Sequence, residues 1–342
     1  MPHVRKWAGK ILRWLVPLLI SGVAIYLLLR NIDFQELANA FRRVSLPSLI
    51  LAMLAGVVSL LLRVWCWHLL LKRQFPYWRV FFAMNAGYLL NNILPFRLGE
   101  FGRAVLLGGK NEKGINSLEV LSSIVVERVI DVFIAFALFL GTLSLVTVEN
   151  SGKVISLVAV GILILIFIIL ALFAKNKEKV FNWLELRKPR HPRSIAWMQP
   201  KVDSLLKGLS VMNQPKVFWV SFILLALSWG VSMIQHYFIF IEIVPGNPAW
   251  WVVFLISAGA LGFALPSAPA GIGVYEAAIV GAFALLGVNY SDAFAYALIL
   301  HAMQFVMSNV LGFIGLVREG QSFSDLYKRI VNQKRVENRE VL

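Results

Sequence analysis

Long apolar runs separated by short basic segments set the pattern of this chain. A helix needs about 20 mostly apolar residues to cross a bilayer, and several runs approach or exceed that length. The pattern predicts an all-α polytopic membrane protein in which residues 1–342 form a single transmembrane domain. The runs that we interpret as spans are Leu15–Leu29, Leu49–Leu71, Ser117–Val146, Ile155–Ala174, Val217–Ile243 and Ala293–Val317.

Two further apolar segments are broken by proline and glycine. The run Val80–Leu94 ends at the first break, and a second break separates Ala249–Leu265 from Ala277–Val288. The first break holds Pro95 and Gly99, and the second holds Pro266, Pro269, Gly271 and Gly273. Because proline disrupts a helix interior, neither segment is expected to be one continuous helix. Broken helices at membrane depth occur where their backbone is buried in protein or lines a wet cavity.

The two broken segments resemble each other, since in both a Leu-Pro pair is followed by glycines and a glutamate. Opposed broken helices in corresponding halves of a chain are typical of transporters with a binding site at the membrane midplane. One interpretation is an inverted repeat with about eight membrane segments, of which six are spans and two are re-entrant hairpins. The alternative is eight ordinary crossings, with a Pro/Gly turn joining two of them.

Composition and charge agree with a membrane protein and indicate its orientation. The chain is 59% hydrophobic and 15% charged, whereas soluble domains are roughly 25% charged. We attribute the net charge of +15 to cytoplasmic loops, which collect Lys and Arg, and not to a nucleic-acid partner. The segment 175–216 carries ten Lys or Arg and three acids, and 319–342 is a second basic, amphipathic segment. We expect both segments and both termini to face the cytoplasm of a plasma (inner) membrane.

Charged residues cluster at the first break, although charge inside a membrane is costly and usually has a function. Arg97, Glu100 and Arg103 are spaced i, i+3, i+6. On a helix they share a face, and Glu100 neutralises one of the two arginines. The other arginine is then free to bind an anion, and its planar fork suits a phosphate. The alternative is a cytoplasmic loop with ordinary positive charge.

The helix predicted over 117–146 carries a polar stripe. Ser123, Glu127 and Asp131 lie at i, i+4 and i+8, and Arg128 is spaced to pair with Asp131. One hypothesis is that Glu127, Arg128 and Asp131 balance charge in a substrate site. The alternative is a structural ion pair that fixes the register of the helix.

Glu276 follows the second break and is the only acid between Ala258 and Tyr290. We expect it to form the wall opposite the arginines, together with Pro266, Gly271 and Gly273. The alternative is a helix-end carboxylate at an interface. Two weaker polar stripes are expected to hold spans together; they are His301, Gln304 and Ser308, and Ser228, Ser232 and Gln235.

Motifs of catalysis and cofactor binding do not occur in this sequence. There is no Walker A loop, no H-E-x-x-H and no G-x-S-x-G. The single cysteine excludes an intramolecular disulfide and a multi-cysteine metal site. We therefore expect no catalytic residue, no metal and no cofactor.

Three motifs in order resemble the lysylphosphatidylglycerol synthase transmembrane region, also called the flippase-like or UPF0104 membrane family. They are LPFRLGEFGRA at 94–104, SSIVVERVID at 122–131 and ALPSAPAGIGVYEAA at 264–278. The resemblance covers residues 15–318. In the family's multiple peptide resistance factors, this region is the flippase half, which moves aminoacylated phosphatidylglycerol between leaflets. One departure is Ala270, where the family pattern favours glycine.

The resemblance implies a translocating module that binds and flips an anionic phospholipid or a polyprenyl-phosphate-linked lipid. Arg97 and Arg103 are expected to hold the phosphate. Membrane lipids are the expected partners, and a glycosyltransferase or synthase is a further one, because stand-alone members of the family often sit near glycosyltransferase genes. Two alternatives therefore remain, a non-transporting partner of a glycosyltransferase and an intramembrane lipid-modifying transferase.

Overall fold

The computed structural model describes residues 17–94, 98–108, 115–146, 161, 214–265 and 267–320. Within these residues the fold is entirely helical, without strands. The helices of the first half are α1 (Pro17–Arg30), α2 (Phe34–Arg43), α3 (Leu46–Leu70), α4 (Tyr77–Ile93), α5 (Gly99–Gly108) and α6 (Ser117–Val146). Those of the second half are α7 (Pro215–Ile243), α8 (Trp250–Ala264), α9 (Val274–Leu285) and α10 (Tyr290–Arg318).

Four of the described helices, α3, α6, α7 and α10, are long and apolar enough to cross a membrane. The bent pair of α1 and α2 is a fifth candidate if it counts as one span. Helix α8 and the segment Pro269–Leu285 are shorter apolar helices. The predicted span Ile155–Ala174 and the basic segments 175–216 and 319–342 lie almost wholly outside the described residues. The all-α prediction is confirmed, and the count of eight segments stays a prediction.

Helix α2 lies at 92° to α1, in a stretch that the sequence analysis left without an assigned helix. Its start is fixed by Asp33, whose carboxylate accepts hydrogen bonds from the backbone N–H groups of Gln35 (2.8 Å) and Glu36 (3.2 Å). Arg42 and Arg43 occupy its last turn, where positive charge complements the helix dipole. The helix is short and amphipathic, so a search for long apolar runs does not detect it.

The first half of the fold, α3 to α6, packs against the second half, α7 to α10. Helix α4 packs against α5 and α10, and α8 packs against α9 and α6. Helices α5 and α6 are in contact, as are α9 and α10, and α3 lies along α7. One hydrophobic core draws mostly on α3 to α6, and the second mostly on α7 to α10.

Close backbone contact brings α5 against α4 after the first break. A Cβ atom added to Gly99 would lie 1.9 Å from the Gly87 carbonyl oxygen, and one added to Gly87 would lie 2.3 Å from Arg103 Cγ. Only glycine permits this approach. It sets Glu100 and Arg103, both on α5, beside α6.

The second break is a tight turn between α8 and α9. It contains the 3₁₀ turn Pro269–Gly271 and three residues with positive φ, namely Ala270 (62°), Gly271 (78°) and Gly273 (87°). Glu276 closes the turn, because its Oε2 accepts a hydrogen bond from the Gly273 N–H at 2.7 Å. The left-handed backbone at Ala270 is a conformation that favours glycine, the residue expected at this position from the resemblance.

Candidate functional site

A buried ionic network joins α3, α5 and α6. Glu127 is fully buried and accepts hydrogen bonds from Arg103 (2.8 Å) and Arg128 (2.8 Å), with Arg63 Nη1 at 3.8 Å from its Oε1. Asp131, one turn along α6, pairs with Arg63 at 2.7 Å and with Arg128 at 3.2 Å. The i, i+3 spacing of Arg128 and Asp131 predicted this pair, and the structure contains it.

This arrangement satisfies charges that are costly to bury. Three guanidinium groups surround two carboxylates, and the Asp131 carboxylate also accepts a hydrogen bond from Trp229 Nε1 at 2.9 Å. Taking ions out of water costs several kcal/mol each unless their partners and hydrogen bonds are in place. The network therefore fixes α3, α5, α6 and α7 relative to one another.

Arg103 is buried between α5, α3 and α6. Its side chain is 2% exposed, lies over the Trp67 ring at 4.3 Å from the centroid and pairs with Glu127. Trp67 in turn donates a hydrogen bond from Nε1 to Ser123 Oγ at 3.0 Å. The ion pair of Arg103 is thus with Glu127 from α6, whereas the sequence analysis considered Glu100 as the neutralising acid. Arg97 lies outside the described residues.

A cavity of about 610 Å³ lies between the ionic network and the turn after α8. Glu100 lines it and receives a hydrogen bond of 3.4 Å from the Asn91 amide. The Arg128 side chain is 31% exposed and that of Arg63 is 18% exposed. The polar and charged lining residues are Ser59, Arg63, Tyr88, Asn91, Asn92, Glu100, Arg128, Asp131, Ser232, Gln235, His236, Ser267, Tyr275, His301, Gln304 and Ser308.

The opposite wall is formed by the turn between α8 and α9 and by α10. Gly271 lines the cavity, whereas Gly273 lies against the Ser21 backbone of α1. Glu276 is buried one side chain away from the cavity, where it pairs with His301 Nδ1. Pro266 lies outside the described residues.

Several lining residues were not assigned to the site by sequence reasoning. Arg63 is the only Lys, Arg, Asp or Glu in α3, and a lone arginine in an apolar span is a functional signal that could have identified it. The two polar stripes have mixed roles. Ser59 bonds Ser228 (2.9 Å) and Ser232 (2.7 Å) across α3 and α7, as expected for residues that hold spans together. The stripe residues Gln235, His301, Gln304 and Ser308 line the cavity.

The wall of this cavity offers many polar and charged groups. It combines two guanidinium groups, carboxylates, amides and aromatic rings around one space. Among the described residues, no group of three or more His, Cys, Asp or Glu side chains is arranged to hold a metal ion. That the predicted residues bind a lipid stays a prediction.

Comparison with known proteins places this arrangement in a family of membrane proteins. The chain is 24% identical over 335 residues to a UPF0104 membrane protein of Methanothermobacter thermautotrophicus, covering 90% of this chain and 93% of the relative. It is 26% identical over 223 residues to another of Methanocaldococcus jannaschii, covering 65% and 90%. The family model described as the lysylphosphatidylglycerol synthase TM region matches residues 14–312. The chain is therefore a multi-pass integral membrane protein that belongs to this family.

Proposed function

We propose that this protein binds the phosphate-bearing head group of an anionic lipid in the central cavity and moves the lipid between leaflets. The observation that carries the proposal is that one cavity of about 610 Å³ reaches both broken-helix regions and has Arg63 and Arg128 in its wall. Ligand sites typically occupy about 300–1,000 Å³, so a lipid head group fits. A guanidinium group donates two parallel hydrogen bonds to a phosphate.

Arg128 is the best placed of the described arginines to contact a head group. It has the larger exposed fraction of the two that line the cavity. Its Nη atoms are held by Glu127 and Asp131, which orient the guanidinium plane. Arg97 keeps its proposed role in phosphate binding, while Arg103 acts by positioning Glu127.

The helix contacts support the inverted repeat as the basis of transport. If α3 to α6 are exchanged in order with α7 to α10, the contact of α4 with α5 becomes that of α8 with α9. Likewise, the contact of α6 with α8 becomes that of α10 with α4, and the contact of α3 with α7 is unchanged. A protein built from such halves changes access by rocking one half against the other around a fixed site. The two breaks then face opposite leaflets.

We further propose that the protein lies in the plasma (inner) membrane and does no covalent chemistry. Both termini and residues 175–216 face the cytoplasm in this proposal, because positive charge is retained on that side. A glycosyltransferase or synthase is a proposed partner that makes or consumes the transported lipid.

Leaflet exchange in liposomes tests this proposal. The probe is fluorescently labelled phosphatidylglycerol, whose outer-leaflet fraction is bleached by an impermeant reductant. The purified protein is expected to expose the inner-leaflet fraction, and Arg128→Lys is expected to slow this about ten- to a hundredfold, because lysine keeps the charge and loses the bidentate geometry. Arg97→Lys is expected to have the same effect. Arg79→Lys is the control, since Arg79 pairs with Glu319 outside the cavity wall.

Each other result has a distinct meaning. Equal rates for Arg128→Lys, Arg97→Lys and the control would contradict the phosphate-binding role of these arginines. Formation of a modified lipid would support an intramembrane transferase, and neither exchange nor product would support a scaffold for a glycosyltransferase.

A further inference from the structure

Glu276 and His301 form a hydrogen-bonded unit in which His301 lies in the cavity wall and Glu276 lies behind it. His301 Nδ1 contacts Glu276 Oε1, and His301 Nε2 lies 3.0 Å from the carbonyl oxygen of Ala270. The second carboxylate oxygen, Oε2, accepts the Gly273 N–H at 2.7 Å. Both side chains are less than a tenth exposed, and His301 borders the cavity. The unit therefore ties α9 and α10 to the turn that separates α8 from α9.

Counting donors and acceptors fixes the number of protons in this unit. A carbonyl oxygen only accepts hydrogen bonds. His301 Nε2 must therefore carry a proton and donate a hydrogen bond to the carbonyl oxygen of Ala270. The contact between Nδ1 and Oε1 then also requires one proton, which belongs to an imidazolium facing a carboxylate or to a carboxylic acid facing a neutral imidazole. In both cases the unit holds one proton at this contact and is neutral overall.

Loss of that proton would break the unit. Two acceptors would face each other, and a net negative charge would remain in a buried site, which is unfavourable without a partner. The hydrogen bond to Ala270 would weaken once His301 rotates away from the bare carboxylate. Ala270 has left-handed backbone geometry, which is strained for a residue other than glycine. Release of His301 therefore favours movement of the turn that forms one wall of the cavity.

The surroundings contain other ionisable groups that share the wall. Tyr275 on α9 lies 5.0 Å from His301 between ring centroids, and the Phe263 ring of α8 faces His301 edge-on. The described ionisable residues elsewhere on the wall are Arg63 on α3, Tyr88 on α4, Glu100 on α5, Arg128 and Asp131 on α6, and His236 on α7. Of the two acids among them, Asp131 is paired with arginines and Glu100 accepts a hydrogen bond from Asn91. The contact between Glu276 and His301 is thus the described site where one proton holds two helices together.

We infer that Glu276 and His301 bind a proton that drives lipid movement, and this inference rests on the proposed flippase function. The bound proton keeps the turn closed on α10. Its release to water in the cavity frees the turn, and its rebinding from the other side of the membrane resets it. No other bond is made or broken. The protein is on this view a proton-coupled transporter of an anionic lipid.

Two measurements test this inference. The first is leaflet exchange of labelled phosphatidylglycerol in liposomes with and without an imposed pH gradient, with trapped pyranine reporting proton movement. The wild-type rate is expected to change with the gradient, and proton movement is expected to accompany exchange. Glu276→Gln fills the same space, and its amide donates to His301 Nδ1 without a titrating proton, so the gradient response should be lost. His68→Gln, outside the cavity wall, should retain it.

The second measurement is the infrared difference spectrum of the purified protein across a pH titration. A carboxyl or imidazole signal that is lost in Glu276→Gln is expected. If lipid exchange occurs but does not respond to the gradient, or if Glu276→Gln keeps the response, the coupling is wrong. If, in addition, the infrared signal is absent from the wild-type protein, Glu276 and His301 are not a proton-binding site. If the signal is present and no lipid exchanges, the flippase function and its coupling fail, and the proton site stands.

Discussion

Arg63 on α3 and Asp131 on α6 form an ion pair of 2.7 Å across 68 residues of sequence. The same carboxylate accepts a hydrogen bond from Trp229 on α7. Asp131 thus holds three helices together in a place where its charge has little contact with water. The pair belongs both to the cavity wall and to the core of the fold.

A double-mutant cycle on this pair should reveal strong coupling. Removing one partner of a buried pair costs about 3–5 kcal/mol, because the other charge is left alone. The double variant Arg63→Ala/Asp131→Ala should therefore lose less stability than the sum of the single variants, by about 1–3 kcal/mol. Unfolding in detergent, followed by circular dichroism, measures the three free energies.

The matched control is the partly exposed pair Arg79–Glu319, whose atoms lie 3.4 Å apart. Exposed pairs couple by about 0–1 kcal/mol, so this cycle should be nearly additive. Equal coupling energies in the two cycles would mean that Asp131 is as well solvated as a surface carboxylate.

The glycine contact between α4 and α5 should tolerate no side chain. Gly99→Ala places a Cβ atom 1.9 Å from the Gly87 carbonyl oxygen, and such overpacking costs about 1–3 kcal/mol or more. Because α5 must shift, Glu100 and Arg103 move as well, so both the melting temperature and lipid exchange should fall. Gly141→Ala in α6 meets nothing within 4 Å and should leave both unchanged. Similar behaviour of the two variants would contradict the close approach.

Exchanging alanine and glycine at positions 270 and 271, in the turn after α8, should affect the melting temperature differently. Ala270→Gly relieves a left-handed conformation that costs other residues about 1–2 kcal/mol, so the melting temperature should rise or stay unchanged. Gly271→Ala should lower it strongly, since the new Cβ would lie 2.5 Å from the Phe263 ring and φ is 78°. Thermal unfolding in detergent compares the pair. A more stable Gly271→Ala protein would show that the turn has another shape.

Orientation in the membrane can be checked with one cysteine. Cys66 is fully buried, so Cys66→Ala provides a background for Arg190→Cys in the basic segment. If this segment is cytoplasmic, an impermeant maleimide should not label intact cells and should label broken ones. In this topology the loop between the predicted spans Ser117–Val146 and Ile155–Ala174 faces outward, so a cysteine at Ser151 should label in both. Labelling of position 190 in intact cells would reverse the proposed topology.

The all-helical character of the fold was predictable because apolar runs of span length form helices in a bilayer. The helix predicted over Ser117–Val146 has those bounds in the structure, and α7 and α8 begin or end within two residues of their predicted limits. Helix α2 was missed because its signal is amphipathic and local. The exact shape of the second break depends on the positive φ of Ala270. This conformation was not predictable, because alanine rarely adopts it.

The candidate site was predictable only in part, because sequence spacing reveals partners on one helix and hides partners between helices. The Arg128–Asp131 pair follows from spacing i, i+3. In contrast, the pairing of Arg103 with Glu127 depends on how closely α5 approaches α6, and the role of Arg63 depends on α3 facing both. His301 was noted as a polar residue, and its contact with Glu276 required the structure.

The packing of α3 to α6 against α7 to α10 has a consequence for biosynthesis. When α3 to α6 leave the ribosome and insert, Trp229 is not yet made, and the surfaces of α4 and α6 that will meet α10 and α8 face lipid or the insertion machinery. Until the second half arrives, the network of three arginines and two acids in the first half lacks its hydrogen bond from Trp229. We expect that a chaperone or insertase that shields this intermediate raises the yield of the protein in cells, and that slowing translation before α7 lowers it.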